Sequence, residues 1–96
     1  MAAYLVGHIR VRDPEGWKQY VAQVPGTLAP FGGEVLFRGR RAAVLAGEHR
    51  YELVVALRFP SPDAVASWHG SPAYQALIPI RDAAADVTLV SYEEVA

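Results

Sequence analysis

The chain has 96 residues, 52% hydrophobic and 20% charged, a balance that excludes intrinsic disorder and implies one domain over residues 1–96 with one core and room for one site. A formal net charge of −1 gives no electrostatic reason to expect nucleic acid or an anionic membrane as a partner. The absence of cysteine removes disulfides, a thiolate nucleophile and cysteine metal ligation, and fits a reducing cytoplasm.

In chain order, Tyr4 to Val11 reads as a strand, with Leu5, Ile9 and Val11 on one face and Tyr4, Val6, His8 and Arg10 on the other. No basic and apolar leader precedes it, and no apolar run approaches the roughly 20 residues that span a bilayer, so no membrane partner is expected. Asp13-Pro14-Glu15 opens a helix with an N-cap, a first-position proline and an acid in the first turn. Trp17, Tyr20, Val21 and Val24 follow at helical spacing. Pro25 kinks the helix, the apolar stripe continues through Leu28 and Phe31, and Gly32-Gly33 stops it. Glu34 to Gly39 and Ala42 to Ala46 read as one long strand bent by a bulge at Gly39-Arg40-Arg41. After a turn at 47–50, Tyr51 to Phe59 is the clearest strand, with Tyr51, Leu53, Val55, Leu57 and Phe59 on one face.

Two helix starts come next. Ser61-Pro62-Asp63 and Ser71-Pro72 each offer a capping hydroxyl before a proline, and Gly70 between them suits a left-handed helix end. The second helix runs through Tyr74, Leu77 and Ile78 until Pro79 disturbs it, and Asp86 to Tyr92 is the last strand. The order strand, helix, strand, strand, helix, strand predicts an α+β, ferredoxin-like βαββαβ fold with a four-stranded antiparallel sheet and helices on one face. The helix-free face would carry Val6, Leu36, Val54, Ala56, Val90 and Tyr92, more apolar area than an open face tolerates, so a homodimer that lays two sheets together is expected.

Asp13-Pro14 with Tyr20, Phe31-Gly32-Gly33, Arg38-Gly39, Phe59-Pro60-Ser61, Trp68 with Ser71-Pro72 and Tyr74, and Arg81 together resemble the uncharacterised bacterial domain-of-unknown-function family number 1330, in the dimeric α+β barrel superfamily. The resemblance covers nearly the whole chain, and His69 departs from the aromatic residue that many family members have there. It implies a homodimer with facing sheets and no established reaction. Relatives elsewhere in the superfamily include cofactor-independent monooxygenases, lactone isomerases and haem-dependent enzymes, which points to small-molecule chemistry without selecting one.

Two constellations carry candidate chemistry. Trp68, Ser71, Tyr74 and Arg81 can aim an aromatic wall, two hydroxyls and a cation at one cavity, an arginine fork suiting a carboxylate or enolate. The plainer reading makes Trp68 and Tyr74 core, Ser71 an N-cap and Arg81 a partner of Asp82 or Asp86. On the helix-free face, His8, Arg10, Arg38 and Arg58, with Glu52 and Tyr92, can line a cleft between two sheets, His8 as general base and the arginines holding an anion; interface ion pairs are the competing reading. No metal site is expected, because His8, His49 and His69 lie on different elements without ligand spacing. No glycine-rich phosphate loop or nucleophile elbow is present, and no cofactor is expected.

The sequence therefore predicts a homodimer that holds a small carbonyl or carboxylate compound. As a cofactor-independent enzyme of proton transfer or oxygenation it would use His8, Arg81 and Arg58 catalytically and Trp68, Ser71, Tyr74 and Arg38 for binding. The alternative is a non-catalytic ligand-binding or stress-related module.

Overall fold

In the computed structural model, which describes residues 1–95, four strands form one antiparallel sheet in the order β2-β3-β1-β4, with the helices on one face. The strands are β1 (Ala3–Val11), β2 (Glu34–Arg40), β3 (Leu53–Phe59) and β4 (Ala85–Glu93); the helices are α1 (Pro14–Leu28), α2 (Pro62–His69), α3 (Pro72–Gln75) and α4 (Ile78–Ala84). This is the α+β, ferredoxin-like arrangement expected from the sequence.

Period-two alternation assigns the faces. Ala3, Leu5 and Ile9 of β1 and Leu57 and Phe59 of β3 are buried beneath the helices. Gly7 lies in the same row, where a Cβ would stand 2.9 Å from Val55 Cγ1 and 3.0 Å from Leu89 Cδ2. Its neighbours close over the position, so any larger residue there would force Val55 or Leu89 to shift. From the helix side, Tyr20, Val24 and Leu28 of α1, Val65 and Trp68 of α2, and Tyr74 and Leu77 complete one cluster. Trp68, Tyr74 and Phe59 form its centre.

The helix starts follow local chemistry. Ser61 Oγ accepts from the Ala64 N–H at 3.1 Å and Ser71 Oγ from the Tyr74 N–H at 3.3 Å, each satisfying a first-turn donor that has no partner inside the helix. Asp13 departs from this pattern, since its side chain makes no cap hydrogen bond although Pro14 does open α1. The helix also runs through Pro25, because Val24 and Leu28 on either side are anchored in the core. Gly32, at φ 70°, then turns the chain in the left-handed region where glycine is favoured.

Other local expectations shift. Gly70 stays right-handed, at φ −80°, since the chain moves straight into another helix. Pro79 falls in the first turn of α4, where a missing N–H breaks no bond, so the expected second helix divides into α3 and α4. Residues 42–46 do not form a strand. The bulge also lies earlier than expected: Val35 pairs with Leu57 and Phe37 with Ala56, so Leu36 is the extra residue. A one-residue slip exchanges the faces of everything beyond it. Phe37 consequently takes the place expected for Leu36 on the helix-free face, and Arg38, paired with Val55, comes to the helix side.

Candidate functional site

A cavity of about 30 Å³ lies between α1 and the sheet, lined by apolar side chains that include Leu5, Ile9, Val55 and Leu89 and by Trp17, Tyr20, Trp68 and Arg38. That is room for one or two water molecules. Next to it, and sharing Ile9, Trp17, Val55 and Arg38 as lining, is an open groove of about 470 Å³ bordered by Lys18, Val21, Gly39 and Arg40. Together they make a slot with an apolar inner end and a basic mouth. The Leu36 bulge turns Arg38 into it, and Arg38 has no hydrogen bond or ion pair among the described residues. An unengaged guanidinium beside apolar walls suits a carboxylate or another compact anion.

Under α1 the polar groups form two chains. Trp68 Nε1–H donates to Thr27 Oγ1 at 3.0 Å, and Thr27 donates to the Val24 carbonyl at 2.7 Å. Arg81 Nη1–H donates to Tyr74 Oη at 3.0 Å, while Tyr74 and Tyr20 share a hydrogen bond of 2.8 Å between their hydroxyls. Arg81 also donates from Nε to Asp82 Oδ1 at 3.0 Å. Arg12 ties α4, which carries Arg81, to the start of β4 by donating to the carbonyls of Asp82 at 2.5 Å and Ala85 at 3.2 Å and to Asp86 Oδ1 at 3.2 Å.

Burial raises the Tyr20 phenol well above its ordinary value near 10, helped by the neighbouring Tyr74, and the charges of Arg81 and Arg38 offset this only in part. Tyr20 is therefore a donor at neutral pH and not a base. The linkage has a definite sign. Below pH ~10 the phenol is protonated in both folded and unfolded chains; above it only the unfolded chain loses the proton, so stability falls as pH rises, with a limiting slope of about 1.4 kcal/mol per pH unit. Thermal unfolding from pH 9 to 11 is expected to show this fall in the native protein, and Tyr20→Phe is expected to flatten it. An equal slope in the variant would assign the fall to other tyrosines.

The sequence-selected residues divide between two sides of the sheet. Trp68, Tyr74 and Arg81 lie on the helix side, where Arg81 bonds to Tyr74 and the Tyr74 ring packs on Trp68 at 4.2 Å. Ser71 belongs to the helix cap, accepting from Tyr74 N–H and donating to the Trp68 carbonyl at 2.7 Å. Arg38 joins the helix side, a correction to its expected place beside His8. His8 and Arg58 stand on the opposite face, paired in register with Val54 and Thr88 and with Tyr4 and Glu34 respectively. Of the two oxyanion partners expected for His8, Arg81 therefore lies across the sheet from it within one protomer, and Arg58 shares its face. Arg58 approaches Glu34 at 3.9 Å, both exposed.

Around His8 the 41–52 segment folds back over the sheet. The His49 ring meets His8 edge-on at 4.9 Å, and Tyr51 Oη shares a 2.8 Å hydrogen bond with Thr88 and accepts from Arg50 Nη2 at 3.0 Å. Those two bonds, Thr88 first, hold the Tyr51 phenol below its ordinary value. His8 Nδ1 is buried without a partner. No group of three or more metal-ligating side chains occurs among the described residues, and no helix there is long and apolar enough to cross a membrane.

Trp17 and Tyr20 are the site residues that sequence reasoning left as helix packing, and Thr27 it did not single out at all. The available signal was the tyrosine itself, since a buried phenol requires a polar partner.

A family model described as "Domain of unknown function (DUF1330)" matches residues 2–95. No curated protein matches. Among solved structures, a protein of unknown function from Rhodopseudomonas palustris superposes with a TM-score of 0.82 at 20% identity, over 99% of this chain and 83% of its own. A dimeric ferredoxin-like protein of unknown function from a Jannaschia species gives 0.77 at 14% identity, over 98% and 100%. SnoaB, a cofactor-independent oxygenase from Streptomyces nogalater, gives 0.68 at 12% identity, over 99% and 94%. At these identities the likeness concerns the fold.

Proposed function

Because the chain belongs to the DUF1330 family, whose description assigns no activity, we propose a function from its own cleft: each protomer of a homodimer holds a small carbonyl or carboxylate compound between α1 and the sheet. The observation that carries this is Arg38, turned by the bulge to the edge of an apolar cavity with no protein partner among the described residues. An anionic group would rest on the guanidinium at the mouth, and an apolar body would lie against Trp17, Ile9 and Val55.

As an enzyme it would act without a cofactor, by proton transfer or oxygenation, and the fold likeness to a cofactor-independent oxygenase supports that version. A non-catalytic binding module is the second reading. It is favoured by the lining of the inner cavity, which contains no histidine or carboxylate, so a proton taken from a ligand has no evident protein acceptor there. In the proposed dimer the sheets face each other, and His8 and Arg58 would lie at that interface.

Both tryptophans of the chain line the cavity, so intrinsic fluorescence reports its occupancy. Titration with apolar carboxylates such as 3-phenylpropanoate is expected to change the emission saturably. Arg38→Gln is expected to weaken binding by about 10- to 100-fold through loss of a charge-assisted hydrogen bond. Equal affinity in the two proteins would remove Arg38 from the site.

A further inference from the structure

The polar chain that ends in the cleft has a direction. Arginine has only donors, so the Arg81–Tyr74 contact fixes Tyr74 Oη as an acceptor. The two tyrosine hydroxyls then have two hydrogens and one bond between them. If Tyr20 donated to Tyr74, both Arg81 and Tyr20 would point hydrogens at one oxygen, and the Tyr74 hydrogen would be left without an acceptor in a side chain that is 0% exposed. Such an unpaired buried donor is disfavoured. If Tyr74 donates to Tyr20, the Tyr74 hydrogen has its acceptor, and the hydroxyl hydrogen left uncommitted in the pair is that of Tyr20. Tyr20 lines the cavity with Arg38.

The neighbouring Thr27 and Trp68 do not offer an alternative acceptor. Thr27 already donates to Val24 and accepts from Trp68. The rest of the inner lining, Arg38 apart, is apolar, so a ligand or a water molecule must supply the oxygen that accepts from Tyr20.

We propose that Tyr20 determines ligand specificity in this cleft by donating its hydroxyl hydrogen to a carbonyl oxygen, so that the preferred ligands are oxo acids with an apolar body. This rests on the acid-binding reading above and adds a second oxygen to it: Arg38 receives the carboxylate and Tyr20 the carbonyl. Tyr74 and Arg81 are positioning residues that hold Tyr20 with its hydrogen turned to the cleft. A saturated acid leaves that hydrogen unpaired or hydrated, which is why the carbonyl is selected.

The test uses two matched pairs of acids differing only by the carbonyl: phenylpyruvate with 3-phenylpropanoate, and 3-benzoylpropanoate with 4-phenylbutanoate. Tryptophan fluorescence gives the affinities, and far-UV circular dichroism checks the fold of Tyr20→Phe. In the native protein the oxo acid of at least one pair is expected to bind about tenfold more tightly than its saturated partner. Tyr20→Phe is expected to bring that ratio to about one while leaving the saturated acid within about twofold. A native protein that binds both members of each pair equally, or a Tyr20→Phe protein that keeps the preference, would overturn the role of Tyr20 and leave the acid-binding cleft standing. A native protein that binds none of the four acids would overturn the acid-binding reading, and this assignment with it.

Discussion

Trp68→Ala is expected to lower stability by about 4 kcal/mol, within the range for removing a buried tryptophan. Trp68 is 1% exposed, packs on Tyr74 at 4.2 Å and on Phe59 at 5.5 Å between ring centroids, and donates to Thr27. Alanine would leave a void at the centre of the core and take the donor from Thr27 Oγ1. A domain of this size is stable by about 5–15 kcal/mol, so the variant would lose a large fraction of its margin. The midpoint of thermal unfolding is expected to fall by about 15–30 °C at fixed protein concentration. Trp68→Phe keeps most of the ring and loses the N–H, so a smaller loss of about 1–2 kcal/mol is expected. A fall of under about 5 °C for Trp68→Ala would mean that the site collapses freely and that this tryptophan does not organise the core.

Val90→Lys is expected to convert a dimer into a monomer. Registers across the sheet place Phe37, Ala56, Val6 and Val90 side by side, one from each strand in the order β2-β3-β1-β4. This row crosses the whole helix-free face, and Phe37 and Val90 at its two ends are exposed. Two sheets packed about 10 Å apart would bury it, each copy covering the same patch on the other. A lysine at position 90 would then bring an unpaired charge into the contact. Dissociation is expected to rise by at least 100-fold, corresponding to about 2.8 kcal/mol. Val90 is partly open in the protomer, so its own fold should survive. Sedimentation equilibrium of native and substituted proteins, with circular dichroism on both, reads the two effects apart. A native protein that sediments at the protomer mass at micromolar concentration would remove the proposed sheet-to-sheet dimer.

The positions of these residues were legible to different degrees. Alternation in Tyr4 to Val11 and in Leu53 to Phe59 placed the core-facing and outer residues of two strands correctly, because a period of two needs no tertiary information. The Ser-Pro pairs at 61–62 and 71–72 marked two helix starts for an equally local reason: a hydroxyl and a fixed φ act within one turn. The second strand was less legible. Gly39-Arg40-Arg41 is the more obvious place for an irregularity, yet the extra residue is Leu36, because pairing with the partner strand sets register and glycine content does not. That one slip moved Arg38 from the face of His8 to the face of Tyr20 and changed which groups share a site. Likewise the Tyr20 phenol was hidden in a helical stripe whose period reports burial and says nothing of what the hydroxyl meets.

The sequence by itself determined the order of elements, the helix boundaries signalled by serine and proline, the apolar character of both sheet faces and the membership of Trp68 and Tyr74 in a conspicuous cluster. Those properties reside in spacings of a few residues and in the backbone preferences of single side chains. Tertiary structure alone decided the place of the bulge, the side of the sheet on which Arg38 lies, and the hydrogen-bonded line from Arg81 through Tyr74 to Tyr20. Each of these depends on which atoms come within about 3 Å of one another across residues distant in the chain. Contact at that range is fixed by strand pairing and packing together, and by no single segment.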